Sequence, residues 1–221
     1  MDKAELIDLM LEAEVLTFGD FTTKSGRRTP YFINTGNYRT GKHIARLGDF
    51  YAACIARNIG KNFEALFGPA YKGIPLAAVT AVSLYRSYQW DIPYLFNRKE
   101  AKDHGEGGNI IGYKPQDGNR IVIVEDVATA GTSVRESLDL LRSIADIKVI
   151  GLVVLVDRRE RGTGELSALQ ELEKSFGIKT YSLVTIDEIV AYLHNRKIDG
   201  RIILDDAMKA KVDGYRKQYG V

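Results

Sequence analysis

Residues 120–137 read RIVIVEDVATAGTSVRES, and three textures follow one another along that short stretch. An unbroken apolar run, Ile121-Val122-Ile123-Val124, ends in two acids, Glu125 and Asp126. Small and hydroxyl-bearing residues come next, Ala128-Thr129-Ala130-Gly131-Thr132-Ser133, and then an amphipathic stretch to Ile144. This order predicts a buried strand over 120–124, a tight loop, and a helix over 132–144. The first turn of a helix presents backbone N–H groups without intrahelical partners, and the helix dipole adds positive charge there, so the loop makes an anion site. Small residues allow close approach of the backbone to a phosphate, and Thr132 and Ser133 can add hydroxyl donors. Two adjacent carboxylates would repel a bare phosphate. They suit a sugar phosphate, because acids can accept hydrogen bonds from ribose hydroxyls while amides hold the phosphate. The residue types alone also fit an ordinary strand-to-helix turn with exposed terminal acids. A Walker loop needs GxxxxGK[ST], which is absent, and Gly131 stands alone where a dinucleotide loop needs GxGxxG.

Outward from this stretch the same rhythm repeats. Apolar strands are expected at 65–67, 93–96, 149–156 and 180–184, with helices over 74–85 and 166–176 between them. Continuous apolar strands alternating with helices imply a Rossmann-like α/β core, a parallel sheet flanked by helices, with ligands at the strands' C-terminal ends. Tyr71, Arg98, Glu125 and Asp157 each follow such a strand, which draws them toward one site. Residues 1–221 read as a single domain, with a core of about 60–184 flanked by segments 1–40 and 185–221. In the flanks, the stripe of Leu6, Ile7, Leu9, Met10 and Leu11 predicts a first helix, 31–34 a short strand, and 187–194 and 205–219 helices. A further helix is expected over 41–59.

The net charge of +2 gives no reason to expect a nucleic-acid partner. The one cysteine, Cys54, sits in an apolar helical run and reads as a packed core thiol. The acidic, amphipathic N-terminus is unlike a signal peptide, and no apolar run approaches a membrane span, so a cytoplasmic protein without a membrane partner is expected.

Two loops concentrate chemistry. Residues 98–112 hold Arg98, Lys99, Lys102 and His104 among Gly105, Gly107, Gly108 and Gly112. A solvated surface loop could carry the same residues. Cations and glycines between two clean strands fit better a mobile lid that closes over a polyanion. Residues 68–73, GPAYKG, form a second tight turn before a helix, with the Tyr71 and Lys72 amides and the Lys72 ammonium as anion donors. A plain strand-to-helix turn is the alternative. His104 lacks ligand-spaced histidine partners, since His43 and His194 lie in helical segments.

VIVEDVATAGTS is similar to the phosphoribosyl diphosphate (PRPP) signature of type I phosphoribosyltransferases. FTTKSGR at 21–27 with PYF at 30–32, GPAYKGIP at 68–75, NRKEAKDHGEGG at 97–108 and DRRERG at 157–162 extend the likeness along the chain. Together they resemble the orotate phosphoribosyltransferases. The resemblance implies the type I phosphoribosyltransferase fold, with the flanks forming a small hood over the base. It implies transfer of the phosphoribosyl group from PRPP to orotate, giving orotidine 5′-monophosphate and diphosphate in pyrimidine biosynthesis. It assigns PRPP to Lys24, Tyr71, Lys72, Arg98, Lys99, Lys102, His104, Glu125, Asp126, Val127 and the loop Ala128, Thr129, Ala130, Gly131, Thr132 and Ser133. Orotate falls to Lys24, Phe32, Ile33, Thr129 and Arg158, and the catalytic roles to Lys102, Asp126 and His104. Arg158 suits the orotate carboxylate as a forked partner. Mg²⁺ is expected to arrive through PRPP rather than in an all-protein cage. The family pattern also implies a homodimer whose 98–112 loops reach the neighbouring site. Relatives often carry Asp-Asp where this chain has Glu125-Asp126, a change that keeps the charge and lengthens one arm.

Overall fold

The structure, a computed structural model, describes residues 2–23, 26–98, 109–127, 132–162 and 164–221, with Thr132 described in its backbone alone. Helix α1 (Lys3–Glu12) starts on the Asp2 carboxylate, which accepts from the Ala4 amide at 2.8 Å. An antiparallel hairpin follows, β1 (Leu16–Thr22) and β2 (Arg28–Ile33), then a 3-10 turn at Thr35–Asn37 and helix α2 (Gly41–Asn58). The core continues as β3 (Ala65–Gly68), α3 (Gly73–Tyr88), β4 (Tyr94–Asn97), β5 (Ile110–Gly112), β6 (Arg120–Val127), α4 (Thr132–Ile144), β7 (Lys148–Asp157), α5 (Ala168–Phe176) and β8 (Lys179–Thr185). Helix α6 (Ile186–Leu193), the short pair β9 (Lys197–Ile198) and β10 (Arg201–Ile202), and α7 (Asp206–Tyr219) complete it.

Among the described residues the central sheet has six strands in the order β5-β4-β3-β6-β7-β8. All neighbouring pairs are parallel except β4 and β5. The α/β core with helices on both faces is as expected, but the sheet is mixed. Residues 110–112, expected within the 98–112 loop, instead form an antiparallel edge strand with Asn97 opposite Ile110. Ile110 is buried, and Gly112 lies at φ +89° where an added Cβ would stand 2.5 Å from the Tyr94 carbonyl. That glycine serves close approach of two backbones rather than looseness.

Strand β6 also runs further than its apolar stretch. Glu125 and Asp126 lie inside it, with Glu125 opposite Val154 and Val127 opposite Val156. Asp157 likewise ends β7 rather than following it. The long β7 supplies ladder partners that keep β6 extended through its two acids. The N-terminal hairpin departs from expectation too: β1 carries no clean alternation, and its bulge between Phe18 and Phe21 contains Gly19.

Alternation along the strands builds two cores. Leu66, Val122, Val124, Val153 and Leu155 pack with residues of α1, α2, α3 and α6 on one face. Phe67, Ile121, Ile123, Leu152 and Val154 pack with Val134, Leu138 and Leu141 of α4 and Leu172 of α5 on the other. Each such side chain, fully buried, stabilises the fold by about 1.5–3 kcal/mol before entropy is set against it. α1 joins the first core through Leu6, Ile7, Leu9 and Met10, and Cys54 is buried there as expected. On the hairpin, Tyr31 of β2 meets Tyr215 of α7 edge to face, with ring centroids 5.9 Å apart.

Candidate active site

The turn between β3 and α3 is closed by glycines. A Cβ on Gly68 would stand 2.1 Å from the Gly73 carbonyl oxygen, and one on Gly73 would meet Pro69 Cδ at 2.7 Å. The Gly73 amide donates to the Pro69 carbonyl at 2.9 Å, and the Ala70 amide to Asn97 Oδ1 at 2.8 Å. Asn97 therefore ties this turn to the end of β4, from which the 98–112 segment departs. The Arg98 amide donates to the Asn109 carbonyl at 2.8 Å, which draws the two ends of that segment together. Tyr71 is exposed, and the Ala70–Tyr71 peptide is cis.

At the end of β6 the strand period sends the two acids to opposite faces. Glu125 points toward α4: Oε1 accepts from the Asp126 amide at 2.9 Å and Oε2 from Ser133 Oγ at 3.5 Å. Its backbone carbonyl accepts from the buried Tyr51 hydroxyl at 2.7 Å. Burial pushes the Glu125 carboxyl up to about 7, and the nearby Asp126 charge acts in the same direction. Asp126 points to the other face, where Oδ2 accepts from Thr35 Oγ1 at 2.6 Å and Lys72 Nζ at 2.9 Å. Burial opposes its charge, but these bonds prevail and hold its carboxyl below the usual range. Asp126 lines a cavity of about 390 Å³ with Thr35, Tyr38, Ile44, Lys72 and Leu76.

The β2 side carries the residues expected to face the base. Phe32 is 41 % exposed and stacks on Phe21 with centroids 5.6 Å apart, so it is an aromatic wall rather than core. Ile33 is half-buried, and its neighbour Tyr31 points inward and is fully buried. Arg158, just beyond β7, lies with its guanidinium 4.9 Å from the Tyr31 ring centroid and its Nε donating to Glu160 Oε1 at 2.9 Å.

Tyr71, Lys72, Arg98, Glu125, Asp126, Val127 and Ser133 thus stand at the C-terminal ends of β3, β4 and β6 and the start of α4, with Arg158 at the end of β7. Lys24, Lys99, Lys102, His104, Ala128, Thr129, Ala130 and Gly131 lie outside the described residues, as does the Thr132 side chain. The reading by residue type missed Thr35, Asn97, Tyr51 and Glu160. Asn97, a polar residue closing an apolar strand, was legible. Thr35 and Tyr51 carry no local signal, since their partners are distant in the chain.

A family model described as phosphoribosyl transferase domain matches residues 34–170. Orotate phosphoribosyltransferase of Clostridium beijerinckii is 53 % identical over 99 % of this chain and 97 % of its own length. Orotate phosphoribosyltransferase of Vibrio cholerae is 49 % identical over 98 % of this chain and 97 % of its own. The crystal structure of orotate phosphoribosyltransferase from Francisella tularensis superposes with a TM-score of 0.84 at 36 % identity, covering 98 % of this chain and all of that one. The Gly68–Gly73 turn, the two acids within β6 and these full-length likenesses agree: the chain belongs to the orotate phosphoribosyltransferase family.

Proposed function

We propose that the chain transfers the 5-phosphoribosyl group of PRPP to a ring nitrogen of orotate, releasing diphosphate and forming orotidine 5′-monophosphate. The C1–O bond to diphosphate breaks as the C1–N bond to the base forms, with cationic character on the ribose and growing negative charge on the leaving group. The observation that carries the reading is the meeting of the Gly68–Gly73 turn with Asp126 through the Lys72 ammonium, at 2.9 Å. A cation held between a tight anion-binding turn and a carboxylate suits a ligand with diphosphate at one end and ribose hydroxyls at the other. In this reading the amides of residues 128–133 hold the 5-phosphate, Glu125 and Asp126 accept from the ribose hydroxyls, and Lys102, with Lys99 and His104, closes over the diphosphate. Phe32, Ile33, Lys24, Thr129 and Arg158 receive the base.

Mg²⁺ would accompany PRPP in this proposal; Asp126 would help to hold it, and the ion would supply positive charge to offset the charge on the leaving group. Asp126 fits that place, as a carboxylate kept ionised by Thr35 and Lys72. Among the described residues no cluster of three or more His, Cys, Asp or Glu could hold a metal by itself.

The active unit is proposed to be a homodimer in the cytoplasm, with each 98–112 loop serving the neighbouring site. In support, α3 and β4 expose Val82, Tyr85, Tyr88 and Tyr94, apolar side chains that a second copy would cover. No helix among the described residues is long and apolar enough to cross a membrane. Incubation with PRPP, Mg²⁺ and orotate, followed by loss of orotate absorbance, tests the assignment. Turnover of adenine or hypoxanthine with none of orotate would overturn it.

A further inference from the structure

Glu160 is the meeting point of three side chains, those of nearby Arg158 and of Arg27 and Tyr31 far away in the chain. The Tyr31 hydroxyl donates to its Oε1 at 2.6 Å, and Arg158 Nε donates to the same oxygen at 2.9 Å. Arg158 Nη2 stands 2.7 Å from Oε1 but makes no hydrogen bond of good geometry, although it is buried. Arg27 Nη1 donates to Oε2 at 3.4 Å, and the edge of the Tyr215 ring lies against Tyr31. The Glu160 side chain is 15 % exposed and that of Arg158 12 %.

The cluster is clamped from the C-terminal side. The Val221 amide donates to the Arg159 carbonyl at 3.0 Å and the Arg161 amide to Tyr219 at 2.8 Å. Arg161 Nε and Nη2 reach the carbonyls of Gly220 and Gln218, both at 3.1 Å, and Arg27 lies 4.4 Å from the Tyr219 ring centroid.

We infer that Glu160 is the positioning residue that aims Arg158 at the base, and so makes base selection depend on a carboxylate. The inference rests on the proposed role of Arg158 as the partner of the orotate carboxylate. A free arginine samples many rotamers and must be ordered on binding. Here Glu160 grips one edge of the guanidinium and the Tyr31 ring supports its face, which fixes the plane of the fork. Because Tyr31 adjoins Phe32 in β2, the same carboxylate sets the arginine relative to the wall of the base pocket. Charge agrees: the guanidinium groups of Arg27 and Arg158 against one carboxylate leave a net positive charge for an anionic base. A purely structural ion pair would instead affect folding and every substrate alike.

Steady-state kinetics of Glu160→Gln, Arg158→Ala and the double variant test this. Glu160→Gln is expected to raise the KM for orotate about tenfold, the scale of one hydrogen bond to a charged group, while kcat and the KM for PRPP stay within about twofold. The double variant should bind orotate no worse than Arg158→Ala alone, because Glu160 acts through Arg158. A raised orotate KM in Arg158→Ala with none in Glu160→Gln would overturn the positioning role and leave the base assignment intact. An unchanged orotate KM in Arg158→Ala would overturn the base assignment beneath it. Parallel losses in kcat, PRPP KM and thermal stability would mark Glu160 as structural. If Glu160→Gln does not fold, Tyr31→Phe removes one hydroxyl from the same carboxylate and reads the same KM split.

Discussion

Replacing Glu125 by glutamine removes a charge that the protein interior already opposes. Burial raises this carboxyl from 4.5 to about 7, so its ionised form is about 3 kcal/mol less favourable in the folded protein than in the unfolded chain. The folded protein holds this proton more tightly than the unfolded chain does. The resulting stabilisation is complete below about pH 4.5 and is lost as pH rises through about 7. Glutamine keeps the shape, can accept from the Asp126 amide and donate to Ser133, and does not ionise. Glu125→Gln should therefore match the parent within about 1 kcal/mol near pH 5 and exceed it by about 3 kcal/mol near pH 8. In a chain of this size that is a gain of about 6–12 °C in Tm near pH 8. Thermal unfolding followed by circular dichroism at the two pH values measures it. Equal gains at both would refute a burial-raised carboxyl. Function should move the opposite way: if ribose hydroxyls donate to ionised Glu125, Mg²⁺–PRPP binding by the parent tightens from about pH 6 to 8, and the variant loses that slope.

Three further outcomes are expected. Lys102→Ala should lower turnover by about a hundredfold or more while PRPP affinity changes little; a loss below about threefold would contradict its catalytic role. Gly68→Ala places a methyl 2.1 Å from the Gly73 oxygen and 2.9 Å from Ala77 Cβ. It should cost about 1–3 kcal/mol or more in urea unfolding and weaken PRPP binding by opening the turn. Tyr85→Asp on the exposed face of α3 should shift the molar mass in light scattering toward monomer and lower activity with it; an unchanged mass would remove that surface from the proposed dimer.

Much was legible from residues alone because it depends on local physics. The run Ile121–Val124 and the amphipathic period of 134–144 specify a strand and a helix within one short window. The continuous apolar strands likewise require helices on both faces of the sheet. The longer blocks, NRKEAKDHGEGG above all, carried the family and with it the residues proposed to touch PRPP and orotate.

The rest awaited contacts between segments far apart in the chain. Strand β6 extends through Glu125 and Asp126 because the longer β7 lies beside it, and that extension sends one acid into the α4 side and the other to the cavity. Thr35 holds Asp126 from 91 residues away, and Tyr31 holds Glu160 from 129. Gly112 lets β5 lie close against the Tyr94 carbonyl of its antiparallel neighbour β4. Local propensity carries no trace of such pairings, since each forms only when packing of the whole sheet brings the two backbones or side chains within bonding distance. The sequence alone therefore specified the kind of pocket, and tertiary packing decided which partners hold each acid and what holds the arginine beside them.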